Sequence, residues 1–393
     1  MKRKIAFVVQ RYGREVNGGA ELECRLYAER LTDEYEVHVL TSKAIDYMTW
    51  KDEYPLEEEQ INGVMVKRFS VKHPRSKKKF DEINGRFLGG GLASDEEEVW
   101  VEEQGPCLPA LIAYIKEHEM EYDAFLFCTY LYYPTCMGVK AVTQKAITIP
   151  TAHDEPFLRM RIFDDVFQSP KAIFYNTVEE KQFIQKKYRN EAIENEVGGV
   201  GIELPAGVEA SAFKKKYGLQ DYMIYVGRID EGKSCDVLFQ YWKEYKRRNS
   251  NSLKLVLMGK SVIEVPKVDT IINLGFVSEE DKYNGMAGAG MLVLPSKFES
   301  LSMVVLEAMA LSVPVVVNGV CDVLKGHCIK SHGGLYYDNY FEFEASVNYL
   351  LTHKDVRMQL GKNGVHYIQE NYRWDVITAK LKRLIRYVKS SEA

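Results

Sequence analysis

Glu299 and Glu307 stand eight residues apart in the run Pro295-Ser296-Lys297-Phe298-Glu299-Ser300-Leu301-Ser302-Met303-Val304-Val305-Leu306-Glu307-Ala308-Met309-Ala310. A carboxylate is an acceptor with two oxygens, which suits the vicinal hydroxyls of a sugar or a ribose. Glu299 falls in a loop ahead of a helix. Glu307 falls one to two turns inside that helix on an otherwise apolar stretch, a placement that points it at a cleft or a partner. The helix start, from Leu301 through Ser302 and Met303 to Val304, offers unpaired backbone amides to a phosphate. A sugar, a diphosphate and a ribose all fit this one segment. The plainer alternative is a capped amphipathic helix with one buried, satisfied glutamate.

Two further segments carry phosphate chemistry. In Gly227-Arg228-Ile229-Asp230-Glu231-Gly232-Lys233, two cations five residues apart flank a loop at the end of a strand. Fixed cations there stabilise a diphosphate leaving group; the alternative is a solvated loop in which they pair with Asp230 or Glu231. In Asn17-Gly18-Gly19-Ala20-Glu21, glycine amides lie beside a helix N-terminus, which suits a phosphate or a simple tight turn. The turn has neither the GxGxxG pattern nor the Lys-Ser/Thr of a P-loop.

The elements that must hold these residues alternate between strand and helix. Ile5 to Val9 reads as a strand, Ala20 to Leu31 as a helix and Glu36 to Leu40 as a second strand: a βαβ unit, hence a parallel sheet. Gly63–Phe69, Phe125–Cys128, Ala146–Pro150 and Ala172–Asn176 continue the strand series, with a helix over Pro109–Lys116. The region from Lys72 to Gly105, with its lysine run, the triple glycine at 89 to 91 and the acidic run 95 to 98, reads as an irregular insertion with some helix. A second α/β series begins near residue 220. Its strands are Met223–Val226, Leu253–Met258, Thr270–Leu274, Met291–Leu294 and Val313–Val317, with helices over Ser234–Arg247 and Met303–Leu311. Four glycines and a proline between Gly198 and Gly207 mark the boundary. Ligands of open parallel sheets sit at the carboxyl ends of the strands, where all these loops fall.

Composition sets the outer limits. A chain of 393 residues is long enough for two full cores. The 52 Lys+Arg against 56 Asp+Glu argue against a dedicated nucleic-acid binder, and an aromatic content of 12% argues against disorder. The apolar run after Met1-Lys2-Arg3-Lys4 is too short for a signal-peptide core, and no stretch approaches a membrane span. The seven cysteines are scattered without a CxxC pair, so reduced thiols in a cytoplasmic protein are expected and a structural zinc site is not.

The ordered set of motifs resembles the retaining GT-B glycosyltransferases of the large family 4. Glu299 to Glu307 resembles that family's E-x7-E motif. Gly18-Gly19-Ala20-Glu21 resembles its N-terminal glycine loop, and Gly227-Arg228 with Lys233 its G-R-x4-K phosphate clamp. Ala308 to Val315 and Leu360-Gly361 through Tyr372-Arg373-Trp374 resemble its later signatures. The resemblance implies that Glu299 contacts donor-sugar hydroxyls, that Glu307 holds the ribose, and that Arg228 and Lys233 neutralise the diphosphate. It further implies that Gly18 and Gly19 approach the phosphates and that amides of Leu301, Ser302, Met303 and Val304 complete their site. His153 would lie near the sugar, although on the residues alone it is equally a loop histidine with a local hydrogen bond. The turn Gly275-Phe276-Val277, and Val277 with it, would lie near the base. Glu299-Ser300-Leu301-Ser302 stands where relatives often have Glu-Gly-Phe-Gly, which leaves the donor open. The 313–340 region is similar to bacterial members from polysaccharide gene clusters.

The expected fold is α/β of the GT-B type: two Rossmann-like parallel-sheet domains facing a cleft, with a C-terminal helix crossing back. The expected domains are 1–202 (acceptor side), 203–372 (nucleotide-sugar donor side) and 373–393 (the returning helix). The expected activity is retaining transfer of a sugar from a nucleotide-diphosphate sugar to a glycan or lipid-linked acceptor. No Asp-x-Asp or HExxH is present, so no metal and no cofactor are expected, with Arg228, Lys233 and the helix N-terminus carrying the charge. A nucleotide-sugar epimerase and a non-catalytic scaffold subunit are the alternatives. The expected location is cytoplasmic. The basic segment Lys72 to Lys79 and the Arg159/Arg161 pair suit either peripheral contact with an anionic membrane or solvent. Tyr130-Leu131-Tyr132-Tyr133-Pro134 suits either stacking on an acceptor sugar or core packing.

Overall fold

The computed structural model describes residues 2–16 and 18–390. Met1, Asn17 of the glycine turn, and the last three residues of the expected C-terminal segment lie outside that description. The chain divides into two compact units, one running to Val200 and resuming at Asp375, the other spanning Gly201–Trp374.

The first unit is built on β1 (Arg3–Val8), β2 (Tyr35–Ser42), β3 (Glu58–Ile61), β4 (Val64–Phe69), β5 (Ala124–Cys128), β6 (Ala146–Ile149), β7 (Ala172–Tyr175) and β8 (Glu194–Val197). Their order is β3-β4-β2-β1-β5-β6-β7-β8. All neighbours are parallel except the β3–β4 hairpin. Strands such as Ile5–Val8 and Ala124–Phe127 are fully buried, because crossover helices cover both faces of a parallel sheet. The helices are α1 (Gly19–Leu31), α2 (Lys77–Gly90), α3 (Ser94–Gln104), α4 (Pro109–Glu117), α5 (Tyr133–Ala141), α6 (Asp164–Gln168) and α7 (Val178–Tyr188). Strand β3 was not anticipated. Its signal is Asn62-Gly63, both at positive φ (48° and 85°), the turn that lets two strands fold back on each other.

The region from Lys72 to Gly105 is not irregular: α2 and α3 fill most of it. Ile83 and Phe87, four apart on α2, join Trp100 and Val101 of α3 in the core of this unit. Trp100 packs against Phe80, Phe157 and Phe163. Three lysines in the first turn of α2, where the helix dipole disfavours them, obscured the helix in the sequence. The triple glycine ends it, with Gly91 at φ 90°. The tyrosine cluster resolves to core packing for Tyr130 and Tyr133, both buried. Tyr130 donates to Glu155 at 2.6 Å.

The second unit contains α8 (Ala210–Tyr217), β9 (Tyr222–Val226), α9 (Cys235–Arg248), β10 (Lys254–Met258), β11 (Ile271–Asn273), α10 (Glu279–Gly288), β12 (Met291–Leu294), α11 (Met303–Ala310), β13 (Val315–Asn318), α12 (Asp322–Ser331), β14 (Gly334–Tyr337), α13 (Tyr340–Thr352) and α14 (Lys354–Asn371). Its sheet is wholly parallel, in the order β11-β10-β9-β12-β13-β14. The last helix, α15 (Trp374–Ser390), crosses back to the first unit. There Ile377, Leu381, Leu384, Ile385 and Val388 are buried. Arg383 pairs with Glu194 and Glu196 beside β8, and Lys389 with Asp123 at 2.6 Å. Among the described residues no helix is long and apolar enough to cross a membrane.

Trp100 is the test of the insertion's packing. Trp100→Ala should destabilise the protein by about 3–5 kcal/mol in urea unfolding. A loss as small as that of a surface substitution would show that α2 and α3 do not share the core.

Candidate functional site

In the second unit the chain runs from β9 outward through β10 to β11, then returns to place β12 on the other side of β9. At such a reversal the loops leaving the two central strands diverge and open a crevice at their carboxyl ends. Those loops are 227–234 after β9 and 295–302 after β12. The neighbouring strand ends approach closely. A Cβ on Gly259, at φ 140°, would lie 1.9 Å from the carbonyl oxygen of Gly227, so only glycine fits.

Asp230 organises the first loop. Its carboxylate pairs with Nε of Arg228 and accepts the amide of Lys233 at 2.8 Å. The Tyr225 hydroxyl donates to the Arg228 carbonyl at 2.6 Å. The Arg228 side chain nevertheless stays half exposed. Lys233 Nζ donates to Glu299 Oε1 at 2.6 Å, joining the β9 loop to the β12 loop across 66 positions of sequence. The Glu299 side chain is largely buried in this pair.

The second loop leads into α11. Buried His327 holds it from below: Nε2 lies 2.8 Å from the Leu301 carbonyl and Nδ1 3.2 Å from the Tyr367 hydroxyl. Burial pushes the His327 pKa down to about 4, so the neutral ring donates to the Leu301 carbonyl. Ser302, at φ 65°, occupies the position before the helix but does not cap it. Its Oγ is buried without a hydrogen-bond partner. Among the described residues the amides of Met303 and Val304 also make no hydrogen bond, whereas those of Val305 and Leu306 turn back to Ser302. Free amides at a helix start form an anion site.

Glu307 is buried on α11 and its Oε1 accepts from Lys282 Nζ and the Tyr283 hydroxyl, both on α10 and both at 2.9 Å. Its Oε2 takes no hydrogen bond among the described residues. Burial, then the charge of Glu307, push the Tyr283 phenol upward. After β11, Gly275 (φ 67°) accepts the Gly259 amide at 2.7 Å. Beyond it Phe276 is exposed and Val277 half-buried.

Gly18, Gly19 and His153 belong to the first unit. Gly18 precedes α1 in extended conformation, and a Cβ there would lie 2.1 Å from the Glu21 carboxylate. That carboxylate is not free to swing, because Arg11 holds it from Nε (2.9 Å) and Nη2 (2.6 Å) in a buried pair. A Cβ on Gly19 would meet nothing within 4 Å. His153 lies in the loop after β6, its Nε2 3.8 Å from Glu155 and its side chain one-third exposed. Glu180 anchors that loop: its two oxygens accept the amides of Ala152 and Asn176, each at 2.6 Å. Burial pushes the Glu180 pKa up to about 8 despite those amides. Burial likewise lifts Glu23 to about 7, against hydrogen bonds from Tyr27 and Asn176.

The structure therefore brings Arg228, Lys233 and Glu299 together, and sets Leu301, Ser302, Met303, Val304 and Glu307 along one helix start. Sequence reasoning missed Lys282, Tyr283, His327, Arg11 and Glu180. Each acts through a partner distant in the chain or through burial, and none carries a local motif.

Residues 209–367 match the family described as glycosyl transferases group 1. Across 95% of both chains, the protein is 24% identical to an uncharacterized glycosyltransferase of Methanocaldococcus jannaschii, MJ1607. Its fold is similar to that of a sucrose-phosphate synthase from Thermosynechococcus elongatus. That structure matches at TM-score 0.75 and 16% identity over 99% of this chain and 100% of the other. Anabaena HepE, solved in complex with UDP and glucose, matches at TM-score 0.71 and 14% identity over 98% and 100%.

Glu180 gives the first unit a pH signature. Its pKa rises from 4.5 to about 8 on folding, so the folded state binds that proton more tightly. The stability it contributes is fully present below pH 4.5 and is lost as pH rises through about 8. Urea unfolding at a series of pH values should therefore show a shallower decline in Glu180→Gln than in the wild type. Equal slopes would show that Glu180 is not the titrating group.

Proposed function

With a group 1 glycosyltransferase domain at 209–367 on a GT-B fold, this chain is a glycosyltransferase, and we propose that it moves a sugar from a nucleoside-diphosphate donor to a glycan or lipid-linked glycan hydroxyl with retention of configuration. The observation that carries the reading is the Lys233–Glu299 contact at the β9/β12 strand reversal. It sets a cation and a carboxylate beside an uncapped helix start. A diphosphate satisfies the amides of Met303 and Val304 and the charge of Arg228 and Lys233. Glu299 then meets the donor-sugar hydroxyls, while Glu307 Oε2 remains available to the ribose. Val277 borders the base.

In the proposed reaction the acceptor hydroxyl attacks the anomeric carbon on the face from which the diphosphate departs. The bond from that carbon to the phosphate oxygen breaks, the bond to the acceptor oxygen forms, and the departing phosphate oxygen takes the proton. Arg228, Lys233 and the α11 amides stabilise the charge that grows on the leaving group. They take the part a divalent ion plays elsewhere, so the proposed transfer is metal-independent and uses no cofactor.

A thermal-shift panel with UDP, GDP, ADP, dTDP and CMP, each with EDTA or Mg²⁺, tests the site. One diphosphate should raise Tm equally under both conditions. The HepE complex makes UDP the first to try. No shift with any nucleotide would remove the donor-site reading. Arg228→Ala should lower turnover about 10²–10³-fold with Tm unchanged, because its only described ion pair is half exposed. Unchanged turnover would take Arg228 out of the clamp. Donor consumption that needs no acceptor would replace transfer by epimerisation.

A further inference from the structure

Apart from the strand reversal, one cluster in the first unit has the composition of a metal site. His73, Glu102 and Cys107 each bring one ligand atom to within 4.8 Å of the other two, the one such trio among the described residues. His73 precedes α2, Glu102 lies in the last turn of α3, and Cys107 follows α3. The three residues therefore sit at the base of the two-helix insertion, at its entrance and its exit.

We propose that His73, Glu102 and Cys107 bind a divalent ion of the zinc type that clasps this insertion. Imidazole, thiolate and carboxylate together select a borderline-soft, tetrahedral ion, with water as the fourth ligand. The backbone already aligns the site, since the Lys72 amide donates to the Cys107 carbonyl at 2.8 Å. Bond lengths for zinc put ligand atoms about 3.5 Å apart, so atoms already within 4.8 Å of one another close by at most about an ångström. His73 and Glu102, both only half-buried, have room to move. The His73 Nδ1 lies 3.2 Å from the Pro74 carbonyl, an outer contact that fixes the ring and leaves Nε2 for the ion. Glu102 is now within 3.3 Å of the Lys72 ammonium, which the ion displaces. Burial holds Cys107 as a thiol, its pKa raised to about 11; binding sends that proton to solvent and leaves the thiolate on the metal. Sequence spacing concealed the trio, because 34 positions separate His73 from Cys107.

The test uses the full-length, reduced, chelator-stripped protein titrated with Co²⁺. A thiolate-to-cobalt charge-transfer band should appear, saturate at one equivalent, and vanish in Cys107→Ser. His73→Ala changes a partly exposed side chain, and should fold and bind about tenfold or more weakly. At a fixed concentration Zn²⁺ should raise the Tm of the wild type more than that of His73→Ala. No band in the wild type, or a band that survives either substitution unchanged, overturns the proposal. Chelation should lower Tm without altering the shift produced by nucleotide, so this site and the donor site are judged separately.

Discussion

Everything in the second unit depends on the reversal of strand order between β9 and β12. In a parallel sheet every strand ends at the same edge, so the loops that leave the strands all lie there. Only where the order reverses do two adjacent loops part and leave space between them. Lys233 and Glu299 span that space. Asp230 orients the loop that carries Lys233, while His327 and Tyr367 set the height of the loop that carries Glu299. The glycines at 227 and 259 permit the close packing of strand ends that brings these loops within reach of each other.

The electrostatics follow from that placement. Lys233 and Glu299 are partly buried and bonded to each other, whereas Arg228 shares only Asp230 and keeps half its surface. In the proposed donor complex, Arg228 would turn to the diphosphate with little desolvation cost, and Lys233 would exchange one anion for another. Glu307 differs again: Lys282 and Tyr283 fix one of its oxygens and leave the direction of the other defined. Two carboxylates eight residues apart thus have distinct environments, the loop one paired with Lys233 of the facing loop and the helix one bonded to Lys282 and Tyr283 of α10.

The first unit invests its buried polar groups differently. Glu180 uses both oxygens on backbone amides, Glu23 takes Tyr27 and Asn176, and Arg11 takes Glu21. These contacts fix the loops leaving β1, β6 and β7. A buried carboxylate that accepts amides costs desolvation but specifies loop geometry, which an apolar residue does not do. The same unit binds α15 through an apolar stripe and the Arg383–Glu194/Glu196 pairs.

The strand and helix series was legible because apolar runs and glycine turns are local signals. Glu299, Glu307, Arg228 and Lys233 were legible because their spacing along the chain carries the pattern. Asn62-Gly63 was equally local, and marks a hairpin that the alternation of β3 alone did not announce. The helices of 72–105 were not legible: lysines at the start and glycines at the end masked an apolar stripe whose partners, Phe157 and Phe163, lie more than fifty residues away. By itself the sequence determined the order of strands and helices and named the residues proposed to meet a sugar and a diphosphate. Tertiary structure alone decided which of them touch, which glutamate oxygen is engaged, and which buried groups hold the loops, because burial and long-range hydrogen bonds are properties of packing and leave no trace in spacing.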